Sequence, residues 1–153
     1  MGRIYLPIYE LIIDLHEGIL EISGGRPGIR DESAVHAAVA RPKTYLSYHP
    51  ECDIHTVCAV LLDSVARNHA FVEGNKRTGL LTAIVTYELN GVVLKRSADR
   101  HKEFENLVIW VVLEKPSIEE IAAKLKKLVG KYREGKVSRF ITLLKSTLIP
   151  FDH

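Results

Sequence analysis

Apolar residues recur at helical spacing along most of the chain, which predicts a domain built mainly from α-helices. The first such stretch begins after Pro7 and ends before the glycine-rich segment 24–28, so we expect a helix followed by a loop. A short second helix should begin after Asp31, its N-cap residue, and stop at Pro42. Residues 43–52 lack a helical period and predict an irregular or hairpin-like flap.

Two later segments are apolar on several sides, as is typical of helices in the centre of a core. One follows Asp53 as its N-cap and runs from Ile54 to about Asn68, and the other runs from about Asn75 to Leu89. The connection between them is short, which predicts that the two helices are antiparallel neighbours. The loop that joins them should therefore lie at one end of the core.

The remaining sequence predicts a short extended piece and three more helices. The extended piece is Val92–Leu94, and the first of the helices covers 97–114. The next helix begins with a capping box of Ser117 and Glu120 and reaches Leu128, with Gly130 as the C′ residue that follows it. The last is an amphipathic helix with apolar positions Val137, Phe140, Ile141, Leu144 and Leu148. We therefore expect an all-α fold, with one domain of about six helices at 1–130 and a basic amphipathic helical extension at 131–153.

Composition excludes disordered, fibrous and membrane-spanning classes. The chain has 153 residues, of which 46% are hydrophobic and 26% charged, as in one globular domain. Its longest apolar run, Leu107–Leu113, is far shorter than the roughly 20 residues that a membrane helix needs. The first residues do not resemble a signal peptide, and two cysteines are too few for a disulfide framework. These features predict a cytoplasmic protein.

Charge is unevenly distributed although the formal net charge is only +2. Residues 124–145 contain eight Lys or Arg and one acidic residue, which suggests contact with an acidic partner or a nucleic acid. A solvated helix face is the simpler interpretation, and we expect no direct nucleic-acid binding.

The loop between the two central helices, residues 69–78, contains the most specific chemical pattern. Its second half begins a helix, where backbone N–H groups lack intrahelical acceptors and the helix dipole is positive. Gly74 permits close approach of a ligand to this backbone, and Lys76 and Arg77 add positive charge. These residues therefore predict a phosphate site.

Two ionisable side chains beside that site suggest that it is catalytic. Glu73 is a single carboxylate, which together with substrate phosphates and water is a common way to hold Mg²⁺. Histidine is the side chain whose unperturbed pKa suits a general base near neutral pH, which makes His69 a candidate for that role. Phe71 is expected to anchor the loop in the core. The combination predicts a phosphoryl- or nucleotidyl-transfer site.

The order of these residues resembles the motif of the Fic/Doc family, His-x-Phe-x-(Asp/Glu)-(Gly/Ala)-Asn-(Gly/Lys)-Arg, at every fixed position from His69 to Arg77. Further similarity lies in Gly24-Gly25-x-Pro27-Gly28-x-x-Asp31 and in 89–92, so the resemblance spans about 5–130. It implies that His69 deprotonates a target hydroxyl, that Glu73 holds Mg²⁺, and that the phosphates of ATP are bound by Gly74, Asn75, Lys76 and Arg77.

Two positions favour the Doc branch of the family. Most Fic enzymes transfer AMP and have Gly where this chain has Lys76, and a second Arg where it has Leu80. The resemblance therefore implies a toxin that transfers the γ-phosphate of ATP to a Ser or Thr hydroxyl of a translation protein such as elongation factor Tu. The self-inhibitory motif of some Fic proteins does not occur in the sequence, so inhibition is expected in trans, from a Phd-like antitoxin.

Several alternatives stay open. AMP transfer is the rival within the family, and a non-catalytic module that binds an acidic partner is the rival from another class. Arg26 and Arg30 lie in the glycine-rich loop and are candidates to face the site. A possible zinc set recurs at three-residue intervals, although so short a segment leaves little chain to surround a metal and a buried Cys58 is the simpler expectation. Its members are His49, Cys52, His55 and Cys58.

Overall fold

The structure is a computed structural model that describes residues 3–94, 100–132 and 150–151. Within these ranges it contains six helices and two pairs of short strands, so the predicted all-α fold is confirmed. The helices are α1 (Tyr9–Ser23), α2 (Glu32–Tyr48), α3 (Ile54–Arg67), α4 (Asn75–Leu89), α5 (Arg100–Glu114) and α6 (Ile118–Leu128). The strands are β1 (Ile4–Tyr5), β2 (Val92–Leu94), β3 (Val129–Tyr132) and β4 (Pro150–Phe151). No helix in the described ranges is long and apolar enough to cross a membrane.

Helix α3 is the centre of the fold. Every residue from Val57 to Ala66 is buried, and α3 packs against α2, α4, α5 and α6. It begins at the predicted N-cap, Asp53, whose side chain accepts a hydrogen bond of 3.1 Å from the backbone N–H of Thr56. Its most extensive contact is with α4. The predicted pair of neighbouring central helices is therefore confirmed.

A glycine sets the spacing of this pair. A Cβ atom at Gly79 would lie 2.8 Å from the backbone nitrogen and 3.0 Å from the Cβ of Ala66, which is closer than atoms pack in protein interiors. Ala66 lies in the last turn of α3 and Gly79 in the second turn of α4. The contact therefore fixes the separation of the two helix ends that flank residues 69–78, which we call the motif loop.

The predicted stop at Pro42 and the predicted flap at 43–52 are wrong, because α2 continues to Tyr48. An interior proline costs about 3 kcal/mol, since it removes a backbone hydrogen bond and crowds the preceding turn. The next turn, however, buries Leu46, which is 1% exposed, and full burial of such a side chain contributes roughly 1.5–3 kcal/mol. Leu46 forms a cluster with Ile4, Val57 and Leu61. Tertiary packing thus outweighs the local preference at the proline.

The strands connect distant parts of the chain. The extended piece predicted at Val92–Leu94 is confirmed as β2, which pairs antiparallel with β3. The predicted capping box at the start of α6 is confirmed. The predicted helix cap at Gly130 is wrong, because this residue lies within β3. Strand β1 pairs with β4, with Ile4 opposite Phe151. The predicted amphipathic helix at 137–148 lies outside the described residues, and the division at residue 130 stays a prediction.

Candidate active site

The motif loop between α3 and α4 is anchored by Phe71, as predicted. Its side chain is 1% exposed. Its backbone N–H donates to Asn75 Oδ1 (3.0 Å), and its carbonyl accepts from Asn75 Nδ2 (2.9 Å). The Asn75 side chain therefore braces the loop, and phosphate binding by Asn75 stays a prediction.

The beginning of α4 has the geometry expected of an anion site. Gly74 is the N-cap residue and has φ +84°, a left-handed conformation that side chains with a Cβ rarely adopt. The first bond within the helix joins the N–H of Thr78 to the carbonyl of Gly74 at 2.9 Å. The N–H groups of Asn75, Lys76 and Arg77 precede that bond and have no acceptor within the helix. They can donate to an oxyanion.

The two basic side chains of this turn differ in their surroundings. Lys76 is exposed and borders the cleft described below. Arg77 donates from Nη1 to the carbonyl of Gly24 (2.8 Å) and to the hydroxyl of Ser23, at the end of α1. Arg77 therefore connects the beginning of α4 to the glycine-rich loop, while Lys76 is available to a ligand.

Glu73 is held by Arg26, one of the two arginines of the glycine-rich loop that the sequence left open. The backbone N–H of Arg26 donates to Oε2 (2.9 Å) and its Nε donates to Oε1 (2.8 Å). These two hydrogen bonds, the side-chain bond first, lower the pKa of Glu73 below its ordinary value. A Cβ at Gly25 would lie 3.1 Å from Glu73 Oε2, so the absence of a side chain there allows this close approach. Glu73 is therefore ionised at neutral pH.

The glycine-rich loop lies directly along the motif loop. The N–H groups of Arg30 and Asp31 both donate to the carbonyl of Ala70 (2.8 and 3.0 Å), and the N–H of Val72 donates to the carbonyl of Gly28 (3.1 Å). Ile29 and Phe71 form a β-bridge. The two loops thus form one backbone-bonded unit, although they are far apart in sequence.

His69 is exposed and follows Asn68, the C-cap residue of α3. Its φ is +53°, in the left-handed region, which turns the chain away from the helix axis. Asn68 holds this turn, because its Nδ2 donates to the carbonyl of Ala34 (2.8 Å) on α2. His69 is thus solvent-accessible on a backbone that is fixed on both sides.

A cleft of about 540 Å³ brings the predicted residues together. Its motif side consists of His69, Glu73, Gly74, Asn75, Lys76 and Arg77. The rest of the lining comes from Ala66 of α3 and from a wall of α5 residues, Glu105, Val108, Ile109 and Val112. The sequence missed this α5 wall, because its apolar residues look like core positions until the neighbouring helices are known. The cleft joins a charged side to an apolar side and is large enough for a small ligand.

His16 of α1 is a second contact to the motif loop that the sequence missed. It is only 3% exposed, and its ring stacks on Phe71 with centroids 3.8 Å apart and planes 10° from parallel. Its Nε2 lies 2.8 Å from the carbonyl oxygen of Glu73. The one available signal was a histidine at a helix position where the spacing calls for an apolar residue.

The model of the Fic/DOC family matches residues 5–87, more than half of the chain. The chain belongs to the Fic/Doc family. It is 31% identical to the protein kinase Doc of Escherichia phage P1 over 121 residues, which cover 79% of this chain and 93% of that protein. It is 38% identical to the toxin Doc of Mycolicibacterium smegmatis (strain ATCC 700084 / mc(2)155) over 103 residues, which cover 67% and 78% of the two chains. The family membership predicted from the motif is therefore confirmed.

The donors of this Fic/Doc site fit Mg²⁺ that is bound together with a nucleotide. Among the described residues, no three His, Cys, Asp or Glu side chains converge on a point that could hold a metal by themselves. Glu73 offers one ionised carboxylate beside an oxyanion site, which suits an ion that keeps several waters and takes phosphate oxygens. Two residues of the possible zinc set have other surroundings: His55 Nδ1 lies 2.9 Å from the Tyr87 hydroxyl, and Cys58 is buried, as expected.

Proposed function

We propose that this chain is a Doc-like toxin that transfers the γ-phosphate of ATP to a Ser or Thr hydroxyl of a translation protein similar to elongation factor Tu. The observation that supports this best is the shared cleft, in which His69 and Glu73 face the same space as the beginning of α4. A base, a metal ligand and oxyanion donors around one cavity suit phosphoryl transfer to a hydroxyl group. The Doc proteins of phage P1 and Mycolicibacterium smegmatis add support by their names.

In this proposal each residue acts through a defined atom. An imidazole nitrogen of His69 accepts the proton of the target hydroxyl as the oxygen attacks the γ-phosphorus of ATP. The bond from that phosphorus to the bridging oxygen of the β-phosphate breaks, and ADP leaves. The N–H groups of Asn75, Lys76 and Arg77 bind phosphate oxygens, and Gly74 keeps that backbone accessible. Lys76, which is exposed at the cleft, adds a positive charge. Glu73 would hold Mg²⁺, which supplies neutralisation of the phosphate charge.

Leu80 favours phosphate transfer over AMP transfer. Its side chain packs against the buried cluster between α3, α4 and α5. It therefore places no positive charge one turn behind Arg77, where the AMP-transferring relatives have their second arginine. ATP would then lack the contact that holds its terminal phosphates in the AMP-transferring orientation.

The proposal includes a partner and a compartment. A Phd-like antitoxin would inhibit the toxin in trans, because the chain has no inhibitory motif of its own. The target and the antitoxin would both meet it in the cytoplasm, where translation takes place.

ATP labelled at the γ- or the α-phosphate tests the reaction. We expect purified protein, incubated with ribosome-free lysate, Mg²⁺ and γ-labelled ATP, to label a protein, which mass spectrometry identifies. Labelling from the α-phosphate alone would establish AMP transfer. Labelling from neither position, with the nucleotide still bound, would support the non-catalytic module. His69→Ala is the control for background kinases.

A further inference from the structure

We infer that His16 is a positioning residue, which holds the Glu73–Gly74 peptide so that the carboxylate and the first turn of α4 face the cleft together. The inference deepens the proposed function, since it assigns a role to a residue outside the motif. His16 lies on α1 and 57 positions away in sequence from the residue that it contacts.

Chemistry determines which atom is the donor in the hydrogen bond between His16 and Glu73. A carbonyl oxygen can only accept, so Nε2 of His16 must have a proton and donate it to Glu73 at 2.8 Å. His16 is 3% exposed, so water cannot readily replace this donor. Loss of the donor would leave the part-buried Glu73 carbonyl without this partner, which is a costly change. The hydrogen bond therefore specifies one orientation of the peptide that follows the metal-binding residue.

The ring fixes the loop from a second direction. It lies flat on Phe71, at 3.8 Å between centroids. A Cβ added to Gly74 would lie 3.6 Å from His16 Cδ2, so the edge of the ring is also in packing distance of the N-cap residue. One side chain thus contacts the motif loop at Phe71 and Glu73 and lies beside Gly74.

Arg26 and His16 act on different parts of Glu73. Arg26 binds the carboxylate, whereas His16 binds the backbone carbonyl. Residues that orient a metal ligand in this way commonly change metal affinity roughly 10- to 100-fold when they are replaced. We therefore expect His16 to affect Mg²⁺-dependent nucleotide binding without touching the nucleotide.

Two substitutions separate the hydrogen bond from ring packing. His16→Phe keeps a flat ring against Phe71 and removes the donor. His16→Gln removes the ring but keeps an amide N–H close to the position of Nε2. His36→Phe is the matched control, because His36 also stacks on an aromatic ring, Tyr9, at 4.3 Å, but lies on the surface.

The first measurement is amide hydrogen exchange of the metal-free and nucleotide-free protein. We expect exchange at Phe71, Val72 and Thr78, whose N–H groups are hydrogen-bonded in or beside the loop, to become about tenfold faster in His16→Phe. His16→Gln should restore most of the protection, and His36→Phe should leave it unchanged. Equal exchange in His16→Phe and the wild type, or equal loss in the Phe and Gln variants, would overturn the inference. Should His16→Phe fail to fold, the Gln variant decides: near-native protection supports the inference, and loss of protection overturns it.

The second measurement is Mg²⁺-dependent binding of a non-hydrolysable ATP analogue by calorimetry. We expect the Mg²⁺ concentration for half-maximal binding to rise roughly 10-fold or more in His16→Phe, with recovery in His16→Gln. An unchanged Mg²⁺ requirement in a folded His16→Phe variant would contradict the positioning role. If the wild type binds no analogue, the proposed function fails, while the exchange measurement still tests His16.

Discussion

Arg26 holds both oxygens of the Glu73 carboxylate, one through its backbone N–H at 2.9 Å and the other through Nε at 2.8 Å. The bond from the backbone N–H survives any substitution except proline, whereas the bond from Nε is lost with the arginine side chain. The two contributions to the lowered pKa of Glu73 can therefore be separated by mutation.

Arg26→Ala should raise the pKa of Glu73 part of the way toward its ordinary value of 4.5, because the side-chain hydrogen bond is lost while the backbone hydrogen bond and the charge of Arg77 still lower the pKa. An NMR titration of the carboxyl carbon in metal-free protein measures this change. The wild-type interaction stabilises the fold above the ordinary pKa and is lost as the pH falls through the lowered pKa. Arg30→Ala is the control from the same loop, and an equal shift in both variants would assign the effect to general charge.

His69→Ala should reduce phosphate transfer by about 10²- to 10⁴-fold, the usual effect of removing a general base. The free energy of unfolding should change by less than about 1 kcal/mol, because the side chain is exposed. Initial rates and urea unfolding check the two statements. His36→Ala removes another exposed histidine and should retain full activity; wild-type rates in a folded His69→Ala variant would remove the base from the proposal.

Gly79→Ala should destabilise the protein by about 1–3 kcal/mol, because the added Cβ would lie 2.8 Å from the Ala66 backbone nitrogen and push α3 from α4. Gly18→Ala is the matched control, since it also lies within a helix but has nothing within 4 Å of the added atom. That variant should be more stable by roughly 0.5–1 kcal/mol, because alanine is the better helix former. Urea unfolding measures both, and equal effects would contradict the spacing role of Gly79.

His55 should make the fold less stable in mild acid. Burial lowers the pKa of this histidine, whose Nδ1 lies 2.9 Å from the Tyr87 hydroxyl. Between the ordinary value of 6.5 and the lowered pKa, the unfolded chain binds a proton that the folded protein does not, so stability falls as the pH falls. Unfolding free energies at about pH 7.5 and about pH 5.5 should therefore differ less in His55→Gln than in the wild type. An identical difference in both proteins would contradict this origin.

Local signals predicted the central helices because their ends are encoded within a few residues. Asp53 caps α3 from three residues before Thr56, and Asn90-Gly91 follows α4 directly. Pro42 is the opposite case, since its local preference to end a helix competes with burial of Leu46 against residues of β1 and α3, which no local pattern contains. Periodicity therefore located α2 but not its end.

The motif residues were predicted because they are contiguous, whereas their supporting contacts were not. His16 and Arg26 reach Glu73 across 57 and 47 positions of sequence, so their roles depend on how α1 and the glycine-rich loop pack. Asn75 shows that even a residue inside the motif can have contacts that the sequence does not predict. Its place in the motif was predicted, but the pairing of its side chain with Phe71 depends on the loop conformation.

The backbone bonds between the glycine-rich loop and the motif loop limit what could be transplanted. A graft of residues 69–77 onto another helical hairpin would keep the sequence motif but lose the strand-like partner at 28–31. It would also lack the guanidinium and imidazole groups that fix Glu73. A functional graft therefore needs two segments, 16–31 and 69–77, on three helices at their native spacing. This requirement makes the site difficult to acquire by exchange of a single loop.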